Sequence, residues 1–138
     1  MTMTSDTTRT DVRPRNHTLT AARVVAGLLG INGLAGATYF ILIAPEEAVW
    51  IGPWVDVPVV ALMLAGFVLK LAVAFAPGLP ADRRIRLGFL AVALGVAVTL
   101  VKIPVYDEPE GVLFLAFDAV LLGVLLLAWR STRVVVRG

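Results

Sequence analysis

Cysteine is absent from the chain, and histidine occurs once, as His17. Without thiols there is no disulfide scaffold, no thiolate metal site, no haem attachment and no dithiol relay. A membrane cytochrome needs paired axial ligands inside its helices, and one histidine in a polar N-terminal stretch does not supply them. No metal site and no cofactor are therefore expected. Charge is scarce too: 16% of residues are charged, against about 25% in an average soluble domain. The net charge of +2 comes without the basic patch on a soluble fold that nucleic-acid binding needs, so no nucleic acid is expected as a partner. A phosphate-binding loop and a serine–histidine arrangement are also missing, which removes the usual soluble active-site classes.

What the chain has is apolar side chain. Hydrophobic residues form 59% of it, and the mean hydropathy is +0.89. A domain of 138 residues has too little interior to hide that much. The solvent is read as a lipid bilayer. Four apolar runs, at residues 24–44, 57–76, 85–105 and 112–129, each approach the ~20 residues that a helix rising ~1.5 Å per residue needs to cross the hydrocarbon. The expected fold is all-α: a polytopic bundle of four transmembrane helices across residues 21–130. A polar, flexible tail is expected at 1–20 and a short basic tail at 131–138. Arg13, Arg15 and Arg23 ahead of the first run, with Ala35-Gly36-Ala37 inside it, also suit a signal peptide. The run stays apolar through Ile43, however, where a cleavable signal has already turned polar, so it is read as a retained span. Trp50 and Trp54, in the first loop, suit headgroup depth.

The charges are sorted by loop. All ten arginines lie in the N-terminal region, in the Arg83-Arg84-Arg86 turn or in the C-terminal tail. The alternate loops hold Glu46, Glu47, Asp56, Asp107, Glu108 and Glu110, and no arginine. Under the positive-inside rule, this predicts a multi-pass protein of the plasma membrane with both termini cytoplasmic.

Gly27, Gly30, Gly33 and Gly36 recur at three-residue spacing in the first run, and Ala119-x-x-x-Gly123 lies in the fourth. Small residues let membrane helices approach closely. They read as intrachain packing, or as a seam for a second copy or a lipid-like ligand.

Three ionisable residues interrupt the runs: Lys70, Lys102 and Asp118. Intramembrane charge costs ~2.5–3.5 kcal/mol on insertion scales and usually faces protein or water. Helical side chains tilt toward their own N-terminus, so Lys102 leans inward from the third run and Asp118 leans outward from the fourth. A Lys102–Asp118 pair is predicted, with Lys70 joining Asp118 from below. Asn32, Tyr39 and Thr99 are candidate hydrogen-bonding or substrate-binding neighbours. The cluster reads either as a neutralised pair that fixes helix register or as a candidate catalytic, proton-accepting or headgroup site.

Arg23-Val24-Val25-Ala26-Gly27-Leu28-Leu29 leading to Pro45, followed by three more spans, resembles the small bacterial DoxX-like membrane proteins. That resemblance implies a bacterial plasma-membrane location and an accessory role. Pro45-Glu46-Glu47 resembles the acidic motif of small membrane lycopene cyclases, but it stands at the end of a span and its surroundings depart from that pattern. Small multidrug transporters share the four spans, yet Asn32 stands in the first span where they carry a carboxylate. Three functions stay open on sequence. The first is a non-enzymatic, self-associating or accessory subunit. The second is a membrane enzyme acting on a lipid or isoprenoid through Asp118 and the lysines. The third is a proton-coupled transporter. The expected partners are the lipid bilayer, a second copy or another membrane protein, and a lipid-like ligand.

Overall fold

The computed structural model describes residues 16–137, with side chains to Val134; residues 1–15 and Gly138 of the two tails lie outside the described residues. Helix α1 spans His17–Thr38. It starts inside the stretch read as a tail because Asn16 caps it: its side-chain oxygen accepts the Leu19 N–H at 3.2 Å. A π-helical turn, Tyr39–Ile43, continues the same rod, and Ala44 N–H bonds back to Tyr39 C=O at 2.8 Å. After a 3-10 turn at Pro45–Glu47, α2 runs Pro53–Phe75, α3 runs Ala81–Tyr106 and α4 runs Gly111–Arg137. Gly78 (φ 68°) lets the chain turn from α2 into α3. Asp107, at φ 52°, ends α3 in the left-handed region that carboxamide and carboxylate side chains tolerate.

Each helix packs against its neighbours in sequence, and α1 closes the ring on α4. The bundle is therefore up-down-up-down, with short antiparallel connections. The Thr18 and Ser131 hydroxyls meet at 3.1 Å, so α1 begins beside the late part of α4. The end carrying the start of α1, the close of α4 and the α2–α3 turn is the basic end. The end carrying the α1–α2 and α3–α4 loops is the acidic end.

Packing follows residue size. Every buried residue of α1 is alanine or glycine: Ala22, Ala26, Gly27, Gly30, Gly33 and Ala37. A Cβ on Gly33 would overlap the Phe67 ring, and one on Gly30 would come within 2.9 Å of Leu71. Gly27, Gly30 and Gly33 are thus used in bringing α1 onto α2. Gly36 and Gly123 alone in the α1 and α4 small-residue patterns have nothing within 4 Å of an added Cβ. The apolar core joins Ala22 and Ala26 to Val73, Val92, Leu121 and Leu125. Leu28, Leu62, Val68, Leu90, Leu100, Leu113 and Leu127 all face outward, exposed. Among the described residues, four helices are each long and apolar enough to cross a membrane.

Both ends of α2 are finished by side chains. At the acidic end, Asp56 reaches back to accept the Gly52 N–H at 2.8 Å and the Ile51 N–H at 3.1 Å, and Tyr106 of α3 donates its hydroxyl to the same carboxylate at 2.6 Å. At the basic end, Arg84 of α3 donates to the carbonyls of Val73 and Ala76, and Arg23 of α1 donates to that of Ala74 at 2.9 Å. The last carbonyls of a helix have no partner within it. Guanidinium groups from two neighbouring helices supply those partners here.

Candidate functional site

Asp118 lies on the inward stripe of α4 that also carries Gly111, Leu121, Leu125 and Ala128. About 10 Å of helix separates it from Gly111. Lys70 lies on α2, close to the basic end, and its stem leans toward the acidic end because helical side chains point to their own N-terminus. The two helices stand diagonally across the ring, without a shared packing seam. Their side chains meet on the bundle axis: Lys70 Nζ is 2.7 Å from Asp118 Oδ1, and both side chains are almost fully buried. Phe67, one turn before Lys70, places its ring 5.9 Å from Nζ.

Gly95 makes the pair sterically feasible. A Cβ at this position of α3 would stand 2.6 Å from Asp118 Oδ2 and 3.1 Å from Lys70 Nζ. The absent side chain is filled by the ion pair. Its hydrogen-bonding capacity is incompletely used: Nζ engages Oδ1 at 2.7 Å, and no other described residue meets the remaining Lys70 protons or the remaining carboxylate lone pairs. In a medium of low dielectric, buried donors and acceptors without partners are expensive.

Two cavities converge on the pair. One, of about 70 Å³, rises toward the acidic end between α2, α3 and α4, past Thr99 to Lys102 and Glu108. The other, of about 370 Å³, lies between α1, α2 and α4 and is walled by Val25, Leu28, Leu29, Phe67, Phe114 and Phe117. Leu28, Phe114 and Phe117 are themselves exposed on the outer surface, so this cleft opens sideways, where the helices face lipid.

The sequence-based pairing needs correction. Lys102 does not bind Asp118; it forms an ion pair with Glu108 at 2.9 Å, in the α3–α4 connection. Lys102 stands a heptad beyond Gly95, which places it about 10 Å nearer the acidic end than the Asp118 carboxylate. Glu108 is closer and better hydrated. Lys70, expected as a secondary partner, is the one that joins Asp118. Thr99 is buried and lines the smaller cavity. Asn32 is exposed and sits on the wall of the larger one. Tyr39 is remote from the cluster, donating to Glu47 Oε2 at 3.1 Å near the acidic end. The sequence reading missed Gly95, Glu108 and Phe67. Gly95 carried a signal, since it stands one heptad from Gly88, which itself admits Leu125.

With its fold and buried polar centre described, the chain can be placed by class: it is a multi-pass integral membrane protein built as a four-helix bundle. In comparisons with known proteins, no family model matches it, and neither a curated protein nor a solved structure is significantly similar.

Proposed function

We propose that this is a non-enzymatic membrane protein that takes up an amphiphile from the bilayer into the lateral cleft and holds its polar head at Lys70–Asp118. The observation that carries this reading is a buried ion pair with spare hydrogen-bonding capacity on the wall of a cavity of about 370 Å³ whose other lining residues, Asn32 apart, are apolar side chains or glycine. That volume is within the ~300–1,000 Å³ typical of small-molecule sites. The arrangement of aromatic and aliphatic walls around one polar corner suits a chain with a head, not a soluble metabolite.

The second reading, a bundle that associates through its glycine face, loses ground because Gly27, Gly30 and Gly33 already contact α2. An accessory role beside another membrane protein, as the DoxX-like resemblance implies, is compatible with amphiphile binding. On this reading the basic end faces the cytoplasm, which the arginine distribution supports under the positive-inside rule, and the membrane is the bacterial plasma membrane that the DoxX-like resemblance implies.

The test is extraction into native nanodiscs, followed by native mass spectrometry. The wild-type chain is expected to retain an amphiphile adduct, and Leu29→Trp, which fills the cleft, is expected to lose it while remaining folded by circular dichroism. An adduct-free wild type, or adducts equal in both proteins, overturns the reading.

A further inference from the structure

Charge balance where the ion pair lines the cleft restricts what kind of head it accepts. Lys70 and Asp118 neutralise each other, with Asp118 97% buried and Lys70 95% buried by relative exposures of 3% and 5%. An anionic head brought to this corner would leave one uncompensated negative charge beside Asp118. A cationic head would leave one uncompensated positive charge beside Lys70. Either is heavily penalised where solvent is excluded. A neutral head keeps the corner at zero.

Neutrality alone does not select a head, but the unused hydrogen-bonding capacity does. Lys70 Nζ spends one of its three protons on Asp118 Oδ1 at 2.7 Å, and no other described residue hydrogen-bonds Nζ or the carboxylate. A hydroxyl satisfies both groups, donating its proton to the carboxylate and accepting one from the ammonium. On the α3 side Oδ2 would already meet an added methyl of Gly95 at 2.6 Å, and the cavity there holds only about 70 Å³. The head therefore has to be small, and it has to arrive from the α1–α4 side, where Asn32 lines the cleft.

We infer that the site selects a long-chain alcohol: an uncharged hydroxyl head bridging Asp118 and Lys70, with its apolar chain lying along Leu28, Phe114 and Phe117. This inference rests on the proposed amphiphile binding and adds the class of head.

The experiment uses three diazirine-bearing probes with identical alkyl chains: a primary alcohol, an alkyl sulfate and an alkyl trimethylammonium. The charges of the last two are permanent, so membrane pH does not blur the comparison. The full chain is held in nanodiscs of zwitterionic phospholipid, and labelling of cleft residues is mapped by mass spectrometry. The alcohol is expected to label the cleft at about tenfold or more over either charged probe, equivalent to about 1.4 kcal/mol of discrimination. In Asp118→Asn, the unpaired Lys70 is expected to shift the preference to the sulfate. In Lys70→Gln, the unpaired Asp118 is expected to shift it to the ammonium. Equal labelling by all three probes, or a wild-type preference for a charged one, overturns the alcohol assignment and leaves amphiphile binding standing. Absence of cleft labelling by every probe overturns both. The wild-type comparison decides the matter even if a charge variant fails to fold.

Discussion

Gly95 governs the polar centre more directly than either charged residue, because the pair occupies the space its side chain would take. Gly95→Ala should push the Asp118 carboxylate aside, since the new methyl would sit 2.6 Å from Oδ2 and 3.1 Å from Nζ. Helix propensity alone favours alanine by about 1 kcal/mol, so any net loss in thermal stability measures the disturbed ion pair. The expected result is a lower unfolding temperature together with loss of the amphiphile binding proposed above. For the pair itself, removing one partner leaves a buried charge uncompensated, which typically costs ~3–5 kcal/mol, whereas apolar replacement of both is often neutral. Asp118→Leu should therefore unfold more readily in detergent than Lys70→Met/Asp118→Leu. A double variant no more stable than the single one would mean that the charges matter through something other than their mutual neutralisation.

Among the helices, α1 shows most clearly how sequence spacing became packing. Its glycines recur every third residue, yet only some meet a neighbour. Gly33→Ala collides with the Phe67 ring, while Gly36→Ala enters open space. Calorimetric or fluorescence melting should show Gly33→Ala destabilised and Gly36→Ala unchanged or slightly stabilised. The spacing alone could not separate the two, because it does not say which stretch of α1 crosses α2. The spans themselves were legible, since long uncharged runs admit few other structures. Their ends were less so: α1 begins at His17 through the Asn16 cap, and α2 begins at Pro53 through Asp56 reaching back to Ile51 and Gly52. Unlike that of Asp56, which read as a loop charge, the burial of Asp118 was legible as well. Its partner was not, because choosing between Lys70 and Lys102 requires the axial offset between α3 and α4, which only tertiary packing sets.

For the molecule as a whole, the ring of antiparallel helices brings the start of α1 beside the end of α4. The Thr18 and Ser131 hydroxyl oxygens lie 3.1 Å apart. A chain without native cysteine is a clean background for testing this. Thr18→Cys/Ser131→Cys should form an intramolecular disulfide on mild oxidation, seen as a faster-migrating monomer in non-reducing electrophoresis. A product of twice the mass would mean instead that the two helices meet between copies.

The arginines at the close of α2 carry a dual assignment with a consequence for how the protein tolerates change. As charges, Arg23 and Arg84 are interchangeable with lysine, and the loop bias that sets orientation would survive the exchange. As joinery they are not: a single ammonium cannot reproduce the planar fork with which Arg84 reaches both Val73 and Ala76. Lysine at position 84 would thus leave the chain threaded the same way across the bilayer while loosening the seam between its second and third crossings, so topogenesis and tertiary cohesion are written in the same side chain but can be edited apart.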